Sequence, residues 1–122
     1  MRTPRNRGDE AEERACEYLR SKGYEIVVRN WRSRSGEIDI IAREGDVLVF
    51  VEVKSRSQRT HGGPEGSVDS PKQRRIISSA RMFLAQTGCP LATRFDVVTL
   101  VGERVRLYRD AFRVDEACSR DC

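Results

Sequence analysis

No stretch of this sequence is apolar enough to cross a membrane, since a spanning helix needs about 20 consecutive apolar residues. Charged side chains make up 34% of the 122 residues, above the average of about 25%. The first residues carry arginines in place of the hydrophobic segment of a secretory signal. We therefore expect a cytoplasmic protein that has no membrane partner.

Histidine and closely spaced cysteine are also scarce. The chain has 1 histidine, His61, and nothing in the sequence positions it for catalysis. The 4 cysteines form no Cys-x-x-Cys pair, whereas structural zinc sites usually bring their ligands in close pairs. The pattern therefore argues against a zinc site. The cysteines are Cys16, Cys89, Cys118 and Cys122.

The sequence has no internal repeat, and its length is that of one domain able to bury its own core. We predict a single domain over residues 1–122, with a basic arm at 1–8, a core at 9–112 and a polar tail at 113–122. The net charge is +4 and the sequence pI is about 9.1. These values are compatible with a polyanionic partner, but they do not demonstrate one.

What the sequence does contain is a mixture of helical and strand patterns. Apolar residues at helical spacing predict a helix at 9–21 and a second helix with Ser70 as N-cap, which ends at Gly88. Short apolar segments bounded by turns predict strands at 24–32, 36–43, 47–54, 94–101 and 105–109. The fold class is therefore α/β, with a mixed α+β sheet and the order helix-strand-strand-strand-helix-strand-strand.

Two of the predicted strands carry charged residues within otherwise apolar segments. The residues are Asp39 in the first strand and Glu52 and Lys54 in the second. Burial of such a charge is costly, so each must be paired, bind a metal ion or face solvent. Which of these holds decides what the protein does.

The turn between these strands decides whether the two carboxylates meet. If Gly45 and Asp46 form a type II′ turn, Asp39 lies directly opposite Glu52. If Glu44 and Gly45 form a type I′ turn, Asp39 lies diagonal to Glu52 on the same face. A three-residue loop would place the carboxylates on opposite faces and would exclude a shared site.

The first predicted helix adds Glu12 as a candidate third carboxylate. Glu12 precedes Cys16 by one turn and lies along the margin of the buried stripe of the helix. A glutamate in the first turn also interacts favourably with the helix macrodipole. Both interpretations of Glu12 stay open at this point.

Carboxylates on neighbouring strands suit Mg²⁺ or Mn²⁺, because these hard ions prefer oxygen ligands. Asp39 and Glu52 would bind the ion, the backbone carbonyl of Val53 could add an oxygen, and Glu12 could accept a hydrogen bond from a coordinated water. Lys54 could orient or deprotonate a water molecule, or offset charge on a phosphate. These parts suit hydrolysis of a phosphodiester. The competing interpretation is a cross-strand pair of lysine and carboxylate that faces solvent.

Basic residues after these strands predict contacts with nucleic acid. Positive charge in the first turns of the second helix opposes the helix macrodipole, and a bound phosphate would relieve that conflict. A solvated basic face is the competing interpretation. The predicted nucleic-acid contacts are Arg56, Arg59, Lys72, Arg74 and Arg75.

Taken together, these motifs resemble the bacterial YraN family, which is similar to nucleases of the PD-(D/E)XK restriction-endonuclease-like superfamily. The resemblance covers residues from about 8 to 112. The matching motifs are Glu12, Gly36-Glu37-Ile38-Asp39, Phe50-Val51-Glu52-Val53-Lys54, Lys72 and Arg94-Phe95-Asp96-Val97-Val98.

The resemblance implies a restriction-endonuclease-like core similar to that of archaeal Holliday-junction resolvases. It implies that Asp39 and Glu52 are the metal-binding carboxylates, that Lys54 is the active-site lysine and that Glu12 is the helix-borne acid. Ile38 stands where the superfamily pattern has proline, and this variation leaves the metal argument intact.

From the residues and the resemblance together we expect a Mg²⁺-dependent endonuclease that acts on DNA, branched DNA included. Branch specificity often accompanies a homodimer whose two sites face two strands, but nothing in the sequence fixes a dimer interface. The alternative is a nucleic-acid-binding module that keeps the nuclease fold without turnover. The substrate does not transfer with the fold.

Overall fold

The computed structural model describes residues 7–56 and 65–114, with side chains from Glu10 onward. Its elements are α1 (Arg7–Ser21), β1 (Glu25–Ser33), β2 (Gly36–Glu44), β3 (Val47–Arg56), α2 (Ser70–Thr87), β4 (Ala92–Val101) and β5 (Arg104–Phe112). The predicted α/β class and the predicted order of elements are therefore confirmed. Several residues singled out in the sequence lie outside the described ranges, namely Arg59, His61, Cys118 and Cys122.

The five strands form one mixed sheet in the order β1-β2-β3-β4-β5. Only β3 and β4 run parallel among the paired strands, and α2 is the crossover between them. A parallel pair requires such a crossover, because its second strand must start at the same edge as the first. The remaining neighbours are antiparallel and are joined by short turns. The start of α2 is thereby brought near the end of β3.

The two helices cover opposite faces of this sheet. Along β3 the side chains alternate, so that Leu48 and Phe50 pack in the cluster that contains α2. Val49 and Val51 pack in the cluster that contains α1. Full burial of each of these side chains contributes about 1.5–3 kcal/mol relative to exposure. Both faces of β3 are therefore buried, which explains why the strand has no polar residue before Glu52.

The alternation does not continue regularly through β2. Ile38 packs in the α2 cluster, whereas Ile40, two residues later, packs in the α1 cluster. On the neighbouring strand, Asn30 adopts a positive φ of 55°, and Trp31 beyond it stacks edge-on against Phe83 of α2 at 5.4 Å. The strands therefore change face at the level of Asp39.

The turn between β2 and β3 has the two-residue form. The pairs run from Glu44–Val47 to Ile40–Val51, and Gly45 has a φ of 59°. Because Gly45 rather than Asp46 takes the positive φ, the turn matches type II′. This is the first of the two registers that the sequence allowed.

Helix α2 begins one residue earlier than the sequence indicates. Asp69, not Ser70, is the N-cap, and its carboxylate accepts a hydrogen bond from the Lys72 N–H at 2.9 Å. Aspartate and serine both cap helices well. The backbone conformation decides between them, because Asp69 is extended, as an N-cap residue must be, with a φ of −68° and a ψ of 160°. At the other end Gly88 adopts the left-handed conformation with a φ of 67°, as predicted. Within the described residues, neither helix has the length and hydrophobicity that a membrane span requires.

A candidate metal centre at the end of β2 and β3

Three carboxylates from two elements meet at one end of the sheet. Glu12 comes from α1, and Glu37 and Asp39 come from β2. One oxygen of each lies within 4.8 Å of an oxygen of the other two. Like charges at this spacing repel one another, so the cluster requires either protons or cations.

Glu12 reaches this cluster because α1 packs against the sheet through one stripe. Ala15, Cys16 and Leu19 are fully buried on that stripe, and Glu12 stands one turn before Cys16. Glu12 is itself only 8% exposed, and the guanidinium of Arg29 lies 3.9 Å from its carboxylate. The structure therefore turns Glu12 toward the sheet rather than toward solvent.

Asp39 occupies the point where the pairing of β2 with β3 ends. The last regular pair is Ile40–Val51, and beyond it the Asp39 carboxylate accepts a hydrogen bond from the Val53 N–H at 2.8 Å. A side chain thus takes the position of a main-chain partner in the ladder. This bond fixes the direction of Asp39, and it is the contact that Val53 supplies to the site.

The electrostatic surroundings of Asp39 favour its protonated form. Burial is the main cause, and the charge of Glu52 adds to it, so that the pKa of Asp39 rises from 3.8 to about 8. The Val53 N–H works in the opposite direction, while a hydrogen bond with Glu52 and the charge of Glu12 raise the pKa further. The surroundings of Asp39 therefore lack the positive charge that would stabilise its ionised carboxylate.

Glu52 adjoins Asp39 but has a cation of its own. Its carboxylate is 6% exposed and lies 2.6 Å from the ammonium of Lys72. Lys72 belongs to α2, which packs on the opposite face of the sheet from α1. The candidate site therefore lies at the rim of the sheet, where residues from both faces meet through Asp39.

Lys54 is turned toward the segment that precedes α2. Its ammonium donates hydrogen bonds to the carbonyl of Glu65, at 3.1 Å, and to the carbonyl of Ser67. Burial lowers the pKa of Lys54, and the Arg56 charge lowers it further against the opposing effect of Glu52. Lys54 thus lies near Glu52, as its spacing implies, but its hydrogen bonds hold the chain at 65–67.

The segment at 65–67 is itself held firmly on the sheet. Glu65 accepts hydrogen bonds from the hydroxyl of Thr99 at 2.6 Å and from the guanidinium of Arg104 at 2.7 Å. Gly66 lies so close to the ring of Tyr108 that an added Cβ would stand 2.5 Å from it. The lysine therefore binds an anchored segment, and this limits its freedom to move.

The described basic residues predicted to contact nucleic acid lie at the end of β3 and near the start of α2. Arg56 is exposed at the end of β3, and Arg74 and Arg75 are exposed on α2. Arg74 and Arg75 line a surface depression of about 390 Å³ together with Ser35 and Ser78. Guanidinium and hydroxyl groups are suitable donors to a phosphate.

Glu37 is the site residue that sequence reasoning did not single out. It lies two residues before Asp39 in β2, and residues at that spacing share one face of a strand. That signal was present in the sequence. It could not be used on its own, because the change of face at Asp39 decides which charged side chains approach Glu12.

The donor set fits a hard divalent ion. All the donors are carboxylates, which Mg²⁺ and Mn²⁺ favour, and two ligands on opposite sides of Mg²⁺ stand about 4.2 Å apart. The oxygens of Glu12, Glu37 and Asp39, within 4.8 Å of one another, need only small movements to reach that span. A divalent ion would also supply the positive charge that Asp39 lacks.

The raised pKa of Asp39 predicts a specific dependence of stability on pH. Between its ordinary value of 3.8 and about 8, the folded protein holds a proton that the unfolded chain has released, so stability falls as pH rises through this window. Asp39→Asn carries no ionisable group there. In a chelator, we expect the variant to melt at least about 4 °C above the wild type at pH 9, a shift that corresponds to about 1 kcal/mol.

The measurement is thermal unfolding of both proteins at pH 5, 7 and 9, and the difference between them isolates Asp39 from other titrating groups. The difference in melting temperature between Asp39→Asn and the wild type should increase as pH rises. Equal slopes for variant and wild type would contradict the assignment of a protonated Asp39.

Comparison with known proteins places the chain beside one group of bacterial sequences. The family model described as "Uncharacterised protein family UPF0102" matches residues 11–100. A UPF0102 protein from Halorhodospira halophila is 49% identical over 110 residues, which cover 90% of this chain and 89% of the relative. Another, from Lachnoclostridium phytofermentans, is 48% identical over 103 residues, with 83% and 87% covered. A third, from Persephonella marina, is 42% identical over 110 residues, with 89% and 95% covered.

Proposed function

Because this chain belongs to the uncharacterised protein family UPF0102, the YraN family, we propose its activity from its own residues. It is a metal-dependent nuclease that hydrolyses DNA phosphodiesters, and branched DNA is among the substrates to be tested. The similarity to PD-(D/E)XK nucleases belongs to the same proposal.

The carboxylate cluster is the observation that carries this proposal. Three acidic side chains from α1 and β2 are gathered within 4.8 Å of one another in a chain whose net charge is +4. Such crowding is unfavourable for the fold, since like charges repel. Arg29 and Arg32 lie beside Glu12 and Glu37, whereas burial and the charges of Glu52 and Glu12 raise the pKa of Asp39. A site for a divalent cation beside a polyanionic substrate accounts for both the local negative charge and the overall positive charge.

Each acidic residue has a separate task in the proposed site. Glu12, Glu37 and Asp39 hold Mg²⁺ or Mn²⁺, and the Val53 N–H keeps the Asp39 carboxylate in position. Glu52 extends the acidic surface from Asp39 toward α2. A bound divalent ion would activate water as a nucleophile and offset the charge that develops on the phosphate.

The basic residues around the rim would hold the DNA backbone. Arg56, Arg74 and Arg75 are exposed, so they can donate to phosphate oxygens without first leaving a buried partner. Lys54 is placed between the acidic residues and the segment at 65–67, where it would stabilise negative charge on the substrate. Contacts of this kind position a duplex and carry no sequence preference.

The test is cleavage of a panel of labelled DNAs by the full chain. Linear duplex, single-stranded and four-way-junction DNA would each be incubated with Mg²⁺, with Mn²⁺ and with a chelator. We expect strand cleavage in either metal and none in the chelator. Absence of cleavage of every DNA in both metals would remove the proposal.

The contacts of the two lysines favour one alternative, a nucleic-acid-binding protein without turnover. Lys54 binds main-chain carbonyls and Lys72 binds Glu52, so both cations already have partners. Such a protein would bind DNA with a strong dependence on salt and with no dependence on divalent ions. The panel distinguishes the two, because only the nuclease yields metal-dependent products.

A further inference from the structure

Lys72 occupies an unusual place for a lysine. It stands in the first turn of α2, where the helix has no acidic residue and where its N-cap is Asp69. Positive charge at a helix N-terminus is disfavoured by the macrodipole. The local helix therefore does not explain why a lysine is there.

Its partner on the sheet explains the position. The ammonium lies 2.6 Å from the carboxylate of Glu52, which is 6% exposed. A carboxylate so deeply buried requires a counter-charge. Lys72 supplies it from the opposite face of the sheet to Glu12, so the acidic rim has a cation on the α2 side and the Arg29 guanidinium on the α1 side.

Lys54 and Lys72 differ in how easily each could move away from its partners. Lys54 is held by the carbonyls of Glu65 and Ser67, whose segment is anchored to β4 and β5. The side chain of Lys72 is 47% exposed, and among the residues that the structure describes its one ion pair is to Glu52. Lys72 can therefore move into solvent by rotation of its side chain alone.

A divalent ion bound at Asp39 would change which cation neutralises the Glu52 carboxylate. Besides burial, the charge of Glu52 acts on Asp39 and raises its pKa, so an ion bound at Asp39 would act in turn on the Glu52 carboxylate. Two cations cannot share that space without mutual repulsion. The ion, with twice the charge, would replace the ammonium as the counter-charge.

We propose that Lys72 is an exchangeable counter-cation: it neutralises Glu52 until a divalent ion binds, and the ion then displaces it. This inference rests on the proposed metal centre and adds a residue from α2 that regulates its occupancy. The released ammonium, at the exposed start of α2, would then be free to contact a phosphate. Metal binding and phosphate binding would then be coupled through one side chain.

The first test is the affinity of the full chain for Mn²⁺ alone, measured by titration calorimetry with no DNA. Lys72→Met removes the competing charge and keeps the length of the side chain. We expect the variant to bind Mn²⁺ at least about 5-fold more tightly than the wild type, the lower end of typical coupling between sites.

The matched control is Arg74→Met, which removes a positive charge from the same helical turn. Arg74 is exposed and, within the described residues, forms no ion pair. Its effect should stay below about 2-fold at physiological salt, because solvent screens such charges. Equal tightening in both variants would overturn the proposal, since it would indicate a general effect of charge.

The second test is thermal unfolding of the same proteins. In a chelator, Lys72→Met should melt below the wild type, because Glu52 has lost its counter-charge. Saturating Mn²⁺ should bring the two melting temperatures together, since the ion then supplies that charge in both. A deficit that Mn²⁺ does not repair would overturn the proposal and would assign the ion pair a purely structural role.

The outcomes separate this inference from the proposed function. If the wild type binds Mn²⁺ and Lys72→Met binds it with equal affinity, the exchange is refuted while the metal centre stands. If neither protein binds Mn²⁺, the exchange fails together with the metal dependence of the proposed nuclease.

Discussion

Asp39→Asn should lower the rate of metal-dependent DNA cleavage by more than about 100-fold. Removal of an outer-shell partner of a metal ligand commonly costs 10–100-fold, and Asp39 is proposed as a direct ligand. Asparagine keeps an oxygen that can accept the Val53 N–H, so the end of the β2–β3 ladder should remain intact. The measurement is the initial rate on the DNA that the wild type cuts best, at saturating Mg²⁺.

The control for this variant is Asp46→Asn, in the turn of the same hairpin. Asp46 is exposed and lies at the opposite end of the strands from the site, so its loss of charge should leave the rate within about 2-fold, like most surface changes. Cleavage by Asp39→Asn at the wild-type rate would refute the proposed role of Asp39. The variant should stay folded in the assay, because asparagine keeps an acceptor for the Val53 N–H, and thermal unfolding in the assay buffer checks this.

Asp96→Ala should destabilise the protein by about 3 kcal/mol, the largest effect on stability that we expect from a single charged residue. Asp96 is fully buried and accepts hydrogen bonds from the hydroxyl of Tyr24 at 2.7 Å, from Arg94 at 2.8 Å and from the Asp110 N–H at 2.9 Å. Removal of one partner of a buried pair typically costs 3–5 kcal/mol. We expect the lower end, because Arg94 keeps its bond to Glu44.

Denaturant unfolding measures this loss, with Glu17→Ala as the comparison. Glu17 is an exposed acidic residue of α1, and its removal should change the free energy of unfolding by no more than about 0.5 kcal/mol. Equal stabilities for Asp96→Ala and the wild type would show that the buried network contributes nothing net.

Asp39 and Asp96 look alike in the sequence, since each is an aspartate inside an apolar strand. The structure separates them by their partners. Asp96 accepts bonds from fixed donors and has an arginine beside it, so its charge is matched. Asp39 is crowded by Glu12, Glu37 and Glu52, and this mismatch is the reason for assigning chemistry to it.

The sequence by itself determined most of the fold. Turn residues and apolar periodicity predicted the order of elements and limited the turn at Gly45 to a few forms, because these depend on contacts between near neighbours in the chain. The pairing of β2 with β3 then selected the two-residue form. Helix spacing directed Glu12 inward for the same reason. The motifs also indicated the family, and the match of the family model over residues 11–100 confirms that membership.

Only the tertiary structure determined which charged side chains contact one another. The change of face at Asp39 brings Glu37 into the cluster, and the crossover through α2 places Lys72 on Glu52 while Lys54 turns to the carbonyls at 65–67. A local sequence pattern specifies the face of a helix or strand from which a side chain projects. The residues that this side chain contacts belong to elements distant in the sequence. Which lysine meets which carboxylate therefore depends on how the two helices pack on the sheet.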